Sequence, residues 1–185
     1  MGTVAFPLRP ATRADLPRLC DLIDQSVRAL SAGYYTPAQI ESALRFVFGP
    51  DTQLIADQTY FVIESESGEL AAAGGWSRRR TLYGGDQMKA TDDPLLDPAT
   101  EPARIRAFFV HPAWARRGLA RQLFERCASD AQRVGFHTLE LMATLPGEPL
   151  YLALGFTPVE RTTTELPDGE TLPLVRMTRP LPATS

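Results

Sequence analysis

A short run of arginines and small residues, from Ala115 to Arg121, carries the groups of this chain best suited to binding an anion. A segment with helical spacing follows it, and the first-turn N–H groups of a helix have no intrahelical acceptor, so they can bind a phosphate. Gly118 and Ala120 leave the backbone open to a close ligand. Three side chains add guanidinium groups that suit phosphate oxygens: Arg116, Arg117 and Arg121. The run predicts a diphosphate site, and the alternative is an ordinary loop with solvated arginines.

Two strands and the helix between them are expected to position this loop. Ile105 to Val110 is an apolar strand, and Thr138 to Ala143 is a second strand reached only after the helix. Strands joined in this way are predicted to be parallel. The helix has an apolar stripe that must face the sheet: Leu119, Ala120, Leu123, Phe124, Cys127, Ala128, Ala131 and Val134. Burial of this stripe would fix the helix N-terminus and leave the arginines free.

A second motif follows the parallel pair. Leu150-Tyr151-Leu152-Ala153-Leu154-Gly155-Phe156 is a short helix ended by glycine. This order resembles the GNAT superfamily of N-acetyltransferases, whose acetyl-CoA loop reads Gln/Arg-x-x-Gly-x-Gly/Ala and whose last helix often reads Phe-Tyr-x-x-x-Gly-Phe. The matching segments are Ala115 to Ala120 and Leu150 to Phe156, and the resemblance extends from Leu8 to Arg179. Two positions depart from the family pattern: Ala115 replaces Gln or Arg, and Pro146 stands where many members carry Asn.

The fold implied by the resemblance is of the α/β class, an α+β mixed sheet that is mostly antiparallel with a central parallel strand pair and flanked by helices. Capping signals at Thr12 to Asp15 and at Thr36 to Gln39 predict the first two helices. Turn residues at Ser67-Gly68 and at Pro167-Asp168-Gly169 predict two antiparallel hairpins. The loop from Asp86 to Pro102 is rich in Asp and Pro. The chain is expected to form one domain over residues 1–185.

Acetyl-CoA is the co-substrate that the resemblance implies, with transfer of its acetyl group to a primary amine. Pantetheine would pair with the fourth strand near Phe108 and Val110, like an added strand. Tyr151 matches the position of a general acid that protonates the departing thiolate, and its alternative is a packed aromatic residue. The residues expected to bind the co-substrate are Phe108, Val110, Arg116, Arg117, Gly118, Leu119, Ala120 and Arg121.

The acceptor amine is expected near the first two helices and the loop before the fourth strand, where Tyr34, Tyr35 and Trp76 are candidates. The acidic residues of the loop from Asp86 to Glu101 would attract a cationic amine, and the alternative is a solvated loop without a ligand. One arginine of the run Arg78 to Arg80 could bind a substrate carboxylate.

No residue stands out as a general base. His111 is read as a loop histidine that follows a strand. Three acidic residues of the preceding loop could act directly or through water: Asp92, Asp93 and Glu101. The alternative is that deprotonation needs no dedicated residue, since an amine of low pKa can arrive partly neutral.

Composition excludes several classes of function. The net charge of −3 gives no basic surface for nucleic acid, and no apolar run is long enough to span a membrane. The N-terminus has no secretory signal, which favours the cytoplasm. Cys20 and Cys127 are expected to be buried core thiols, and two histidines are too few for a zinc site. The expected partners are acetyl-CoA and an amine acceptor, with a homodimer left open.

Two classes of function fit these observations. The first is an enzyme that transfers an acetyl or longer acyl group from CoA to an amine of a small molecule or a protein. The second is a regulatory module that binds acyl-CoA without chemistry.

Overall fold

The computed structural model describes residues 6–183, which form a seven-stranded sheet in the order β1-β2-β3-β4-β5-β7-β6. The strands are β1 (Leu8–Pro10), β2 (Tyr60–Glu64), β3 (Leu70–Ser77), β4 (Ala103–Val110), β5 (Thr138–Thr144), β6 (Thr157–Glu165) and β7 (Thr171–Pro180). Neighbouring strands are antiparallel except for β4 and β5, which are parallel. The predicted mixed sheet and its central parallel pair are confirmed.

Helices cover both faces of this sheet. They are α1 (Leu16–Ser31), α2 (Pro37–Phe46), α3 (Thr52–Ala56), α4 (Leu119–Val134) and α5 (Glu148–Ala153). Alternate residues of β2 show the two faces, because Phe61 and Ile63 pack in the cluster that holds α4 while Tyr60 and Val62 pack with α1 and α3. Within residues 6–183, no helix is long and apolar enough to cross a membrane.

Local signals explain where the helices begin. The Thr36 hydroxyl accepts from the Gln39 N–H, and the Gln39 side chain accepts from the Thr36 N–H, which is the predicted capping box of α2. The apolar stripe of α4 is buried over most of its length, although Val134 at its last turn is exposed.

One of the two cysteines is not where it was expected. Cys127 of α4 is fully buried, and burial raises the pKa of its thiol. Cys20 of α1 is exposed, so its prediction as a core thiol is wrong. It directly follows the buried Leu19, and a step of one residue turns a helix by about 100°, which takes the side chain off the face that packs on the sheet.

Candidate active site

A bulge interrupts the middle of β4, and just beyond it two neighbouring aromatic residues face opposite sides of the sheet. Gly75 pairs with Arg106 and Ala73 pairs with Phe109, so Gly74 lies opposite two residues, Ala107 and Phe108. Ala107 has a φ of 56°, a left-handed conformation that residues with a Cβ rarely adopt. A Cβ on Gly74 would lie 2.5 Å from the Phe108 ring, so only glycine fits beneath that ring.

The two rings mark the two sides of the sheet. Phe108 packs against Tyr151 of α5, with 6.3 Å between the ring centroids. Phe109 packs against Phe48, which follows α2, with 6.1 Å between the centroids.

β4 and β5 separate after their first residues, which leaves a gap between the two strands. The two strands pair only at Ala103 with Leu139 and at Arg104 with Glu140. The His111 N–H donates to the Ala71 carbonyl of β3, at 2.8 Å. Because backbone groups alternate in direction along a strand, those of Val110 and Phe108 point away from β3, into the gap. These are the residues predicted to pair with pantetheine.

A cleft of about 650 Å³ fills the gap and is lined from both faces of the sheet. The residues on what we call its α4 side include Ala115, Arg116, Gly118, Leu119, Ala120, Arg121, Pro146 and Tyr151. Those on what we call its α1 side include Ser26, Val27, Leu30, Ser31, Val47, Phe48, Tyr83, Phe109 and Met142. The cleft therefore extends through the sheet from the predicted anion site to α1 and the segment that follows α2.

The N-terminus of α4 forms the predicted cradle of backbone donors. Within residues 6–183, the N–H groups from Gly118 to Arg121 have no hydrogen-bond acceptor. The first bonded amide is that of Gln122, which donates to the Gly118 carbonyl at 3.0 Å. Gly118 has a φ of 78°, and no atom of the rest of the fold lies within 4 Å of its Cβ position. Arg116 and Arg121 line the cleft, whereas Arg117 is exposed beside it. The open N–H groups and the arginines give this end of the cleft a positive potential.

Tyr151 lies where α5 meets the cleft. Its ring packs against Phe156, with 5.8 Å between the centroids, as well as against Phe108. The residue is 9% exposed, and among residues 6–183 its hydroxyl has no hydrogen-bond partner. Burial raises the pKa of this phenol, so it stays protonated at neutral pH. A protonated hydroxyl beside the cleft can donate a proton.

A buried ionic cluster, which the sequence analysis missed, stabilises the wall of the cleft at Arg106 of β4. Arg106 of β4 is 3% exposed and donates to the Asp51 carboxylate at 2.8 Å. It also donates to the carbonyls of Thr81 and Gly84, at 3.1 and 2.6 Å. Lys89 is a second partner of Asp51. Burial lowers the pKa of Arg106, and the Asp51 charge opposes that shift.

We expect Asp51→Asn to lower the free energy of unfolding by about 3–5 kcal/mol, because it leaves the buried Arg106 without its counter-ion while an amide can still cap α3. Urea unfolding of both proteins measures the change. The control is Asp24→Asn, which breaks the exposed pair with Arg28 and should cost less than about 1 kcal/mol. Equal losses in the two variants would contradict the assignment.

The three residues predicted to bind the acceptor do not line the cleft. Trp76 is 3% exposed and packs against Phe136 in the core, because β3 is covered on both faces. The Tyr35 hydroxyl donates to the Pro173 carbonyl at 2.6 Å and accepts from the Leu145 N–H at 2.9 Å. Burial raises the pKa of the Tyr35 hydroxyl to about 12. Its two hydrogen bonds attach the chain just before α2 to the sheet. Tyr34 is exposed beside it.

Other candidates serve the fold. His111 contacts Gln25 through Nε2 at 2.7 Å and accepts from the Ala113 N–H through Nδ1 at 3.0 Å, which agrees with its reading as a loop histidine. In the acidic loop, Asp93 accepts from the Thr81 N–H. Arg79 pairs with Asp57, with 2.7 Å between Nε and the carboxylate. None of these side chains faces the cleft.

The remaining acidic residues of this loop are also directed elsewhere. Asp86 accepts from the Thr52 N–H and hydroxyl, and Glu101 accepts from the Asp97 N–H. Asp92 is exposed and does not line the cleft. The loop therefore brings no carboxylate to the place where an amine would react.

Comparison with known proteins finds a family match in the second half of the chain. Residues 95–178 match the family model of the acetyltransferase (GNAT) domain. This segment holds β4, the cradle, α4, β5 and α5. No protein of curated function matches the chain.

Solved structures of this class share the whole fold. A GCN5-related N-acetyltransferase from Rhodopseudomonas palustris has a TM-score of 0.70 at 19% identity and covers 98% of this chain and 99% of its own. A phosphinothricin acetyltransferase from Sinorhizobium meliloti in complex with acetyl-CoA has a TM-score of 0.62 at 22% identity, over 95% of this chain and 88% of that one.

A third structure, the PaiA N-acetyltransferase from Thermoplasma acidophilum in complex with coenzyme A, has a TM-score of 0.63 at 12% identity, over 96% and 99% of the two chains. The predicted resemblance is confirmed: residues 95–178 match the GNAT acetyltransferase domain, and the chain shares its overall fold with these structures.

Proposed function

We propose that this protein transfers an acetyl group from acetyl-CoA to a primary amine while both are bound. One observation carries the proposal: a single cleft joins free backbone donors at Gly118 to Arg121, the unpaired edge of β4 and the hydroxyl of Tyr151. These are the groups needed for a diphosphate, for the amides of pantetheine and for a leaving thiolate.

The α4 side of the cleft would hold acetyl-CoA. The diphosphate would accept from the N–H groups of the first turn of α4, with Arg116 and Arg121 beside it. Pantetheine would continue along β4 and exchange hydrogen bonds with Phe108 and Val110, as an added strand does. This path leads the thioester toward the level of Tyr151. Ala115 offers no side-chain donor in the cradle, so the backbone and the two arginines carry that contact.

The proposed chemistry needs one attack and two proton movements. The amine nitrogen attacks the thioester carbonyl carbon, the new C–N bond forms and the C–S bond breaks. The thiolate takes the proton of the Tyr151 hydroxyl, and the nitrogen loses one proton to water. Water then returns one proton to the Tyr151 oxygen, which restores the phenol. The products are the acetylated amine and free CoA thiol, so atoms and charge balance. No Asp, Glu or His of the described residues lines the cleft, and the amine must therefore react as its neutral form.

Release of CoA thiol tests the proposal. We expect thiol to appear when acetyl-CoA and a panel of primary amines are mixed with the protein, at a rate above that of hydrolysis without amine. A thiol reagent that absorbs light on reaction measures it. Thermal stabilisation by acetyl-CoA with no thiol release for any amine would instead indicate the alternative, a non-catalytic acyl-CoA-binding module, which the lack of a base in the cleft favours.

A further inference from the structure

The α1 side of the cleft is apolar. Its wall is formed by three aliphatic residues of α1 and of the segment after α2, by three aromatic rings and by Met142 of β5. The aliphatic residues are Val27, Leu30 and Val47, and the rings are those of Phe48, Tyr83 and Phe109. Leu30 is 40% exposed although it is a leucine, and Phe48, Phe109 and Met142 are only half-buried. Small-molecule sites are mostly lined in this way, with few polar groups.

The charged side chain beside this wall already has a counter-ion. Arg106 lines the cleft but is paired with Asp51, which is 0% exposed. The polar side chains that remain are neutral: Ser26, Ser31 and Tyr83, whose hydroxyl contacts the Thr164 hydroxyl at 2.7 Å. Arg116 and Arg121 lie on the α4 side, at the cradle. A second charge on the acceptor would find no free counter-ion on the α1 side within residues 6–183.

From this wall we infer that the acceptor is a small primary amine with an apolar alkyl or aryl body and no second charge. The inference rests on the proposed function and narrows it to one class of substrate. It replaces the expectation of a cationic acceptor, because the acidic loop that suggested it lies outside the cleft. An ammonium or a carboxylate at the far end of the acceptor would lose its hydration against Phe48 and Phe109 without gaining a partner.

Three amines with six carbon atoms each separate these alternatives. Hexylamine ends in a methyl group, hexamethylenediamine in an ammonium and aminocaproate in a carboxylate. We expect hexylamine to bind the CoA-saturated protein at least about 100-fold more tightly than either of the others, as measured by isothermal titration calorimetry. The same order is expected in kcat/KM from thiol release with acetyl-CoA.

A pair of variants at Leu30 tests the wall directly, because its exposure lets the position accept a polar residue. Leu30→Glu supplies the missing counter-ion and should raise the affinity for hexamethylenediamine by at least about 10-fold, while lowering that for hexylamine. Leu30→Gln has nearly the same shape without the charge, so it should weaken hexylamine and leave the diamine weak. Val134→Glu, at an exposed position of α4 outside the cleft, should leave both affinities at parental values.

The outcomes distinguish the two claims. Equal or tighter parental binding of hexamethylenediamine or aminocaproate would overturn the inference about the acceptor, whether or not the protein is an enzyme. Preferential binding of hexylamine without thiol release would support the inference about the cleft and reject the proposed catalysis. If Leu30→Glu unfolds, the comparison of the three amines on the parent protein still decides.

Discussion

Gly118→Glu is expected to abolish acetyl-CoA binding, with a loss of affinity of at least about 100-fold. The position of its Cβ faces open space, so the new carboxylate would project into the cradle formed by the N–H groups of Gly118 to Arg121. There it would both fill the place of the diphosphate and repel it. Isothermal titration with acetyl-CoA measures the loss.

Gly118→Ala is the matched control. Both variants place a Cβ at a φ of 78°, which costs about 1–2 kcal/mol of stability, but alanine adds no charge. We expect the alanine variant to keep acetyl-CoA affinity within about 10-fold of the parent. Parental affinity in a folded Gly118→Glu protein, checked by circular dichroism, would reject the site.

Tyr151→Phe is expected to lower the rate of acetyl transfer by roughly 10²–10⁴-fold and to leave acetyl-CoA affinity nearly unchanged. The ring can keep its contacts with Phe108 and Phe156, whereas the only lost atom is the hydroxyl oxygen that would protonate the thiolate. Thiol release with a competent amine gives the rate, and calorimetry gives the affinity.

The pH dependence adds a second readout. Because burial raises the pKa of Tyr151, its proton is present at and below neutral pH and is lost only well above pH 10. The parent should therefore show no loss of rate from this group between about pH 6 and 9. A Tyr151→Phe protein that turns over at the parental rate would make Tyr151 a packing residue, and a collapse of affinity would make it a cofactor contact.

Local sequence patterns were sufficient for the α4 side of the cleft. The loop around Gly118, the strand ending at Val110 and the helix carrying Tyr151 are short continuous segments, and the parallel connection brings them to one place. The bulge at Ala107 also has a sequence signal, because the consecutive glycines Gly74 and Gly75 inside a strand indicate a close approach of another chain segment.

The α1 side could not be predicted in the same way. Asp51 and Arg106 are 55 residues apart, and no local pattern pairs them. Trp76 was predicted to lie near the acceptor because of the expected position of that site in the fold, but β3 lies between two strands and two layers of helices, so its side chain is buried. The acidic loop failed as a guide because Asp86, Asp93 and Glu101 accept hydrogen bonds from backbone N–H groups, and none of the loop's carboxylates lines the cleft.

The short pairing between β4 and β5 makes a weak seam across the sheet. Strands β1 to β4 stand on one side of it and β5 to β7 on the other, joined in the sheet by pairs at Ala103 and Arg104 alone. A pantetheine chain hydrogen-bonded along Phe108 and Val110 would occupy the gap between β4 and β5 and stabilise the contact between the two halves of the sheet. Each tenfold excess of ligand over its Kd adds about 1.4 kcal/mol to the stability of the folded state. Acetyl-CoA would then be both the reagent of this protein and a temporary structural part of it.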